Sequence, residues 1–223
     1  PPTLFKLPSF NFSNTTHFLV GSVLIIGMVT IPLMAASVFG QSPLEGGLQL
    51  LRMTLAIAVG AVTGGFITQH WGARIPSLSG LILATAGFLL LSSWTIDIAE
   101  PALTIHLAIT GLGLGLLVSP IAEMALFGVQ DDQSGAASAL LSVSRMVGMT
   151  AGLAAMTALG TVQFNELVAD VPAFSIDPEV QQQIIDSATD AGMAVFTRFY
   201  LYAAILSAVA LVPAWFMTKN KSS

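Results

Sequence analysis

Six long apolar stretches are the feature of this sequence that most constrains its fold. They cover roughly 17–39, 47–69, 76–96, 102–127, 134–162 and 195–217. A helix needs about 20 apolar residues to cross the ~30 Å hydrocarbon layer of a bilayer, and all six stretches meet that length. Apart from Arg198 at the start of the last stretch, only three charged side chains lie within them: Arg52, Glu123 and Arg145. The sequence therefore predicts an all-α membrane protein, a bundle of six transmembrane helices in a lipid bilayer.

The composition excludes several other classes of protein. Charged residues make up 9% of the chain, whereas a soluble domain carries about 25%. The net charge of −5 and the absence of a basic cluster argue against nucleic-acid binding. The chain has no Cys, and its three His residues fall at different helix ends, so we expect no metal site. No Ser/His/Asp arrangement is suggested, and we expect neither an enzyme nor a bound cofactor.

The spacing of the apolar stretches predicts the organisation of the chain. Asp177-Pro178-Glu179 resembles a helix start, with Asp as N-cap and Pro at the first helical position. The predicted segments are an interfacial segment (1–16), five transmembrane helices (17–162), an acidic extracytoplasmic loop with a short helix (163–194), a sixth transmembrane helix (195–218) and a cytoplasmic tail (219–223).

The distribution of basic residues predicts the orientation in the membrane. Lys and Arg favour the cytoplasmic side of short loops. If both termini lie on one side of the membrane, that side also holds Lys6, Arg74, Lys219 and Lys221. We therefore expect a protein of the bacterial inner membrane with both termini in the cytoplasm. The sequence begins with Pro-Pro rather than Met, and we expect a piece of a longer protein or a processed one.

Small residues recur at helical spacing beside each membrane charge. The fifth stretch carries Ser134, Ser138, Ser142, Arg145, Gly148 and Gly152; the fourth carries Gly111, Gly115, Ser119 and Glu123 beside Pro120; the second carries Arg52, Ala56, Gly60 and Gly64. Such stripes face other helices or a water-filled cavity rather than lipid. The fourth and fifth stretches are consecutive and antiparallel, so we expect Arg145 to reach toward Glu123.

Each of these features has two interpretations. Glu123 and Arg145 form either a structural ion pair that locks two helices or a site for substrate or proton movement. Arg52 either extends to the outer headgroups or lines a pathway. The glycines are packing residues more often than a substrate route.

Four stretches together resemble the major facilitator superfamily, and within it the fourteen-helix drug:proton antiporters. They are residues 41–47 (QSPLEGG), 65–74 (GFITQHWGAR), 111–120 (GLGLGLLVSP) and 135–148, which begins GAAS and ends with Arg145 and Gly148. They occur in the family's order within residues 41–152. Gln69 stands where many members carry an acid.

The resemblance implies the C-terminal six-helix half of a proton-driven exporter of small amphipathic compounds or drugs. Arg145 and Glu123 would line the cytoplasmic half of its cavity and Arg52 the outer mouth. The loop with Gly65, Gly72 and Arg74 would act as a cytoplasmic latch. The partners implied are a small-molecule substrate and a missing N-terminal half of six or eight helices, or a second copy. The alternatives are a non-transporting scaffold subunit and a solute importer of the same fold.

Overall fold

The chain folds as a bundle of helices in the computed structural model, which describes residues 4–172 and 174–216. No strand occurs within these ranges. The α-helices are α1 (Pro8–Ser37), α2 (Pro43–Trp71), α3 (Arg74–Ser92), α4 (Ala102–Leu116), α5 (Val118–Leu126), α6 (Ser134–Leu167) and α7 (Pro178–Phe216), with short 3₁₀ turns at Leu4–Lys6 and Asp131–Gln133. Counting α4 and α5 as one span, six helices are long and apolar enough to cross a membrane. The predicted six-helix bundle is confirmed.

Local sequence signals fix where several helices begin and end. α2 begins with a capping box, in which the Ser42 hydroxyl accepts from the Glu45 N–H at 3.4 Å and the Glu45 carboxylate accepts from the Ser42 N–H at 2.8 Å. Asp177 accepts a hydrogen bond from the Glu179 N–H at 2.9 Å and so caps α7. Gly72, at a φ of 80°, ends α2 in a conformation that favours glycine.

The fourth span is broken between α4 and α5 at Leu117. Pro120 follows the break, and its ring nitrogen has no hydrogen to donate to the Leu116 carbonyl one turn earlier. The chain continues in helical turns, but the two pieces are no longer one uninterrupted ladder of hydrogen bonds.

Two predicted boundaries differ from the structure. The first helix begins at Pro8, so residues 8–16 are its opening turns rather than a segment before it. The short helix predicted after Asp177 is continuous with the last span, since α7 runs from Pro178 to Phe216. Hydropathy locates the apolar part of a helix, whereas a helix continues until a breaker or cap stops it. The predicted tail 219–223 lies outside the described residues.

α1 is the central helix of the bundle and packs against α6, α7 and α2; α3 packs against α4 and α7, and α2 against α4. The core includes Tyr200, Phe88 and Met34, all fully buried. α2 and α6 are the two most exposed spans. Phe12 stacks on Phe216 with ring centroids 5.5 Å apart, which places both described chain ends at one end of the bundle. We name this the N-terminal end; the other is the opposite end.

Candidate functional site

A cavity of about 220 Å³ lies between α1, the α4–α5 break and α6. Its wall is largely aliphatic and includes the polar side chains of His17, Ser138, Ser142 and Arg145. His17 lies close enough to Arg145 for the two to interact electrostatically. Nδ1 of His17 is buried and has no hydrogen-bond partner among the residues that the structure describes. A guanidinium and an imidazole in an apolar cavity suit the polar group of an amphipathic molecule.

Backbone-to-backbone packing of α1 on α6 fixes the position of Arg145. A Cβ on Gly148 would lie 2.1 Å from the Phe18 carbonyl oxygen, and one on Gly21 would lie 2.3 Å from the Arg145 carbonyl oxygen. The Ser22 hydroxyl donates to the Gly148 carbonyl at 2.8 Å. Gly152 likewise packs on Ser22, where a Cβ would lie 2.9 Å from the Cα of that residue. The close approach of the two helices therefore depends on glycine.

The expected contact between Arg145 and Glu123 is not an ion pair: none joins these two described residues, and Glu123 is not among the residues that line the cavity. Val118 and Ala122 of α5 line it instead. Glu123 follows Ala122 and therefore lies about 100° further around the helix.

The small-residue stripe of α4 and α5 packs on α2 rather than on α6. A Cβ on Gly111 would lie 2.3 Å from the Met53 carbonyl oxygen, and one on Gly115 would lie 2.2 Å from that of Ile57. The Ser119 hydroxyl donates to the Ala61 carbonyl at 3.5 Å, and Glu123 is one turn further along the same stripe. The expectation assumed that consecutive helices would share one interface, but each stripe packs on a different helix.

The glycines of α2 complete this interface. A Cβ on Gly60 would lie 2.5 Å from the Leu112 carbonyl oxygen, and one on Gly64 would lie 2.7 Å from that of Leu116. Glycine on both helices brings the two backbones into contact.

Arg52 lies at the opposite end of the bundle and forms an ion pair with Glu100. Its Nη1 also donates to the Thr104 hydroxyl at 2.8 Å, and that hydroxyl donates to Glu100 at 2.7 Å. Glu100 is not among the site residues predicted from the sequence. A signal was present: Glu100 lies in the connection between the third and fourth spans, which the alternation of spans brings to the same end as Arg52.

The environment of Glu100 stabilises its ionised form. The hydrogen bond from the Thr104 hydroxyl is the main cause that lowers the pKa of Glu100 below its ordinary value; burial opposes it, and the Arg52 guanidinium adds to the lowering. This trio is a charged and hydrogen-bonded cluster at the surface of the bundle.

The three residues predicted to form a cytoplasmic latch, Gly65, Gly72 and Arg74, make contacts with different parts of the bundle. Gly72 ends α2, and Arg74 begins α3 with its guanidinium 4.0 Å from the centre of the Trp215 ring of α7. A Cβ on Gly65 would lie 3.2 Å from the Ser119 hydroxyl of α5. Arg74 therefore links α3 to the end of α7 through a cation–π contact.

Two further cavities lie along the junction of α1, α6 and α7, and both have largely apolar linings. One, of about 240 Å³, includes Ile26, Ala155, Met156 and Phe199 in its lining. The other, of about 460 Å³ and nearer the opposite end, includes Leu33, Phe164, Val195 and Phe196. Within residues 4–172 and 174–216, no group of three His, Asp or Glu side chains is placed to hold a metal ion.

Six apolar spans around an apolar core define this chain as an integral membrane protein of the helical-bundle class. No protein-family model matches it.

The chain is similar to mycobacterial proteins named triacylglyceride transporters. It is 36% identical over 163 residues to one from Mycolicibacterium smegmatis, an alignment that covers 69% of this chain and 29% of that protein. It is 36% identical over 179 residues to one from Mycolicibacterium hassiacum (76% and 34%). It is 32% identical over 204 residues to one from Mycobacterium tuberculosis (86% and 39%). The chain thus spans about a third of the length of these curated relatives.

Proposed function

We propose that this chain forms a six-helix bundle of a transporter that moves acylglycerols, or similar amphipathic lipids, across a bacterial membrane. The observation that carries the proposal is the similarity, at 32–36% identity, to proteins named triacylglyceride transporters. The six spans supply the membrane location that such an activity requires.

The apolar cavities beside α6 and α7 support a lipid substrate. Ile26, Met156 and Phe199 present hydrocarbon surface to the smaller cavity, and Phe164 and Phe196 to the larger. Moving acyl chains from water to such surfaces is favourable by about 25 cal/mol per Å² of buried apolar area. The cavity beside Arg145 adds polar groups that suit the polar part of the same molecule.

The resemblance to half of a major facilitator superfamily transporter fits this proposal. In such transporters the substrate site lies between two bundles that rock about it, so a second bundle would complete the path. The prediction of proton-driven drug export receives no support from the relatives, whose names specify triacylglycerides. Lipid therefore replaces drug in the proposal, and Arg145 remains a candidate pathway residue.

Reconstitution of the full-length gene product tests the proposal. In liposomes it should move fluorescently labelled trioleoylglycerol between leaflets faster than protein-free liposomes do. Ala155→Phe fills the smaller cavity and should slow this movement severalfold. The matched control is Ala158→Phe, which is one turn away on α6 and exposed like Ala155, but lies outside the cavity lining.

Thermal unfolding of both variants checks that each is folded. No lipid movement above background would refute the proposed function. Equal rates for Ala155→Phe and Ala158→Phe would refute the role of this cavity.

A further inference from the structure

A third kind of cavity, polar rather than apolar, lies at the opposite end of the bundle. It has a volume of about 260 Å³ and lies where the start of α2 meets residues 93–101 and the start of α4. Its lining contains five polar residues, Gln41, Glu45, Gln49, Arg52 and Glu100, and three apolar ones, Leu48, Ile98 and Leu103. We name it the Gln49 cavity.

Gln49 is the one polar residue of this lining that is almost fully buried, with 5% exposed. Its Nε2 donates to Oε1 of Gln41 at 2.6 Å. Its Oε1 is buried and has no donor among the residues that the structure describes. Buried amide oxygens are nearly always hydrogen-bonded, because leaving one without a donor is costly. The unpaired oxygen therefore points to a donor supplied from outside this part of the chain.

The other polar groups indicate what kind of donor would fit. Glu45 and Glu100 are acceptors, and Arg52 already donates to Glu100 and Thr104. The hydrogen-bonding groups of the cavity that remain free to bind a ligand are thus more often acceptors than donors. Hydroxyl groups donate and accept without charge, so they match this combination of amide, carboxylate and guanidinium.

The apolar residues place the rest of the ligand. Leu48 lines the cavity and belongs to a row of exposed apolar residues that continues along α2: Leu44, Leu48, Leu51, Leu55, Val59, Val62 and Phe66. A hydrocarbon chain attached to a headgroup in the cavity would find this row beside it, in the depth of the bilayer.

We propose that the Gln49 cavity binds the hydroxyl-bearing headgroup of a neutral glycerolipid, such as a monoacylglycerol or a diacylglycerol. The inference rests on the proposed function for the lipid class alone; the hydroxyl chemistry comes from the cavity. The terminal torsion of a glutamine is broad, so an entering hydroxyl can draw Oε1 of Gln49 toward it. A triacylglycerol carries ester oxygens, which only accept, and it cannot satisfy that oxygen.

A binding experiment on the full chain in phosphatidylcholine nanodiscs tests this assignment without measuring transport. The probe is radiolabelled 1-monooleoylglycerol. Gln49→Leu removes the unpaired acceptor and should weaken binding about tenfold, the loss expected for one buried hydrogen bond. Gln69→Leu makes the same change at an exposed position near the other end of α2 and should leave binding unchanged. Unlabelled trioleoylglycerol should compete at least about tenfold less well than dioleoylglycerol.

Thermal stability of the variants gives a second test. Without ligand, Gln49→Leu should lose no more thermal stability than Gln41→Leu, because both remove the hydrogen bond between the two side chains and only Gln49→Leu also removes the unpaired buried oxygen. A larger loss for Gln49→Leu would show that a bound water already satisfies its oxygen, which overturns the proposal. Should Gln49→Leu fail to fold, Gln41→Leu, which lies outside the helices and removes the partner of Gln49, should also weaken binding.

Equal binding to Gln49→Leu and Gln69→Leu would overturn the proposal. So would equal competition by trioleoylglycerol and dioleoylglycerol. Competition by free glycerol as strong as that by monooleoylglycerol would overturn the lipid assignment and leave a soluble polyol as the ligand. The proposed transport can fail while this binding succeeds, so the two outcomes are distinguishable.

Discussion

Arg145 and Glu123 lie on surfaces that face different helices, and this separation determines how their substitutions should combine. With no ion pair between them, Glu123→Gln and Arg145→Met should change the free energy of unfolding independently. The change in the free energy of unfolding of the double variant should equal the sum of the changes in the two single variants within about 0.5 kcal/mol. A buried pair would behave differently: losing one partner costs about 3–5 kcal/mol, whereas replacing both is often near neutral. Denaturant unfolding of the four proteins in detergent measures this, and a double variant that recovers the parent's stability would contradict it.

Glu100 should give the bundle a pH dependence in the acid range. Its pKa is lower in the folded protein than the ordinary value of 4.5, so its stabilising contribution is present above 4.5 and is lost as the pH falls below that value. Since the side chain is 53% exposed, the contribution should stay under about 1 kcal/mol. Thermal unfolding against pH should show a shallower acid decline for Glu100→Gln than for the parent.

Asp97→Asn is the matched control for this experiment. Asp97 lies in the same connection and has no hydrogen bond or ion pair within the described chain. Its substitution should leave the acid decline as it is in the parent. A Glu100→Gln variant with the parent's decline would show that the Arg52 cluster does not contribute to stability.

At the scale of elements, the α2–α4 interface depends on glycines whose hydrogens touch the opposite backbone. A Cβ on Gly115 would lie 2.2 Å from the Ile57 carbonyl oxygen, so Gly115→Ala must force the helices apart. We expect a loss of about 1–3 kcal/mol in the free energy of unfolding. Gly47→Ala, on α2 with nothing within 4 Å of the added Cβ, should be neutral or stabilising by up to ~1 kcal/mol because alanine favours helix. Equal effects of the two substitutions would contradict this packing.

The sequence predicts where the helices lie along the chain better than it predicts which helices pack against each other. The six spans and the break near Pro120 follow from local composition, because lipid selects apolar helices of fixed length and proline removes a hydrogen bond. Which helix surfaces pack against each other depends on the fold of the whole chain. The stripe of Gly111 and Gly115 packs on α2, whereas the stripe of Gly148 packs on α1. Spacing along one helix defines a face but not the helix that covers it.

The same distinction applies to the candidate sites. Arg145 and Arg52 are noticeable in the sequence because charges are rare in apolar stretches. His17 and Glu100, which lie beside them, are not, since each is an ordinary residue near the end of a span. Both become informative only when the fold brings α1 to α6 and the 93–101 connection to α2. Gln49 has no sequence signal, because its importance comes from burial.

At the scale of the whole molecule, the orientation in the membrane is open to a direct labelling test. The chain contains no Cys, so single cysteines report their own accessibility. Ile176, with 87% of its surface exposed, lies in the connection at the opposite end, and Gln130 is exposed at the N-terminal end. If both termini are cytoplasmic, Ile176→Cys should react with an impermeant maleimide applied to intact cells and Gln130→Cys only after lysis. The reverse pattern would overturn the predicted orientation.

The chain by itself should not transport lipid. Arg145 is half-buried beside a cavity, and within residues 4–172 and 174–216 it has no ion-pair partner. A charge at membrane depth is costly unless it is paired or hydrated, so the cavity favours a covering partner, either a second bundle or a second copy. α2 and α6, the most exposed spans, offer the surfaces for it.

Purified chain 1–223, shown to be monomeric and helical, should therefore move labelled trioleoylglycerol no faster than protein-free liposomes, while the full-length gene product moves it readily. The full-length arm separates this prediction from the proposed function, because failure there would refute transport altogether. Transport by the monomeric chain at the full-length rate would show that six helices suffice. It would then follow that water or substrate within the same bundle hydrates or pairs the Arg145 guanidinium, because no second bundle would be present to cover it.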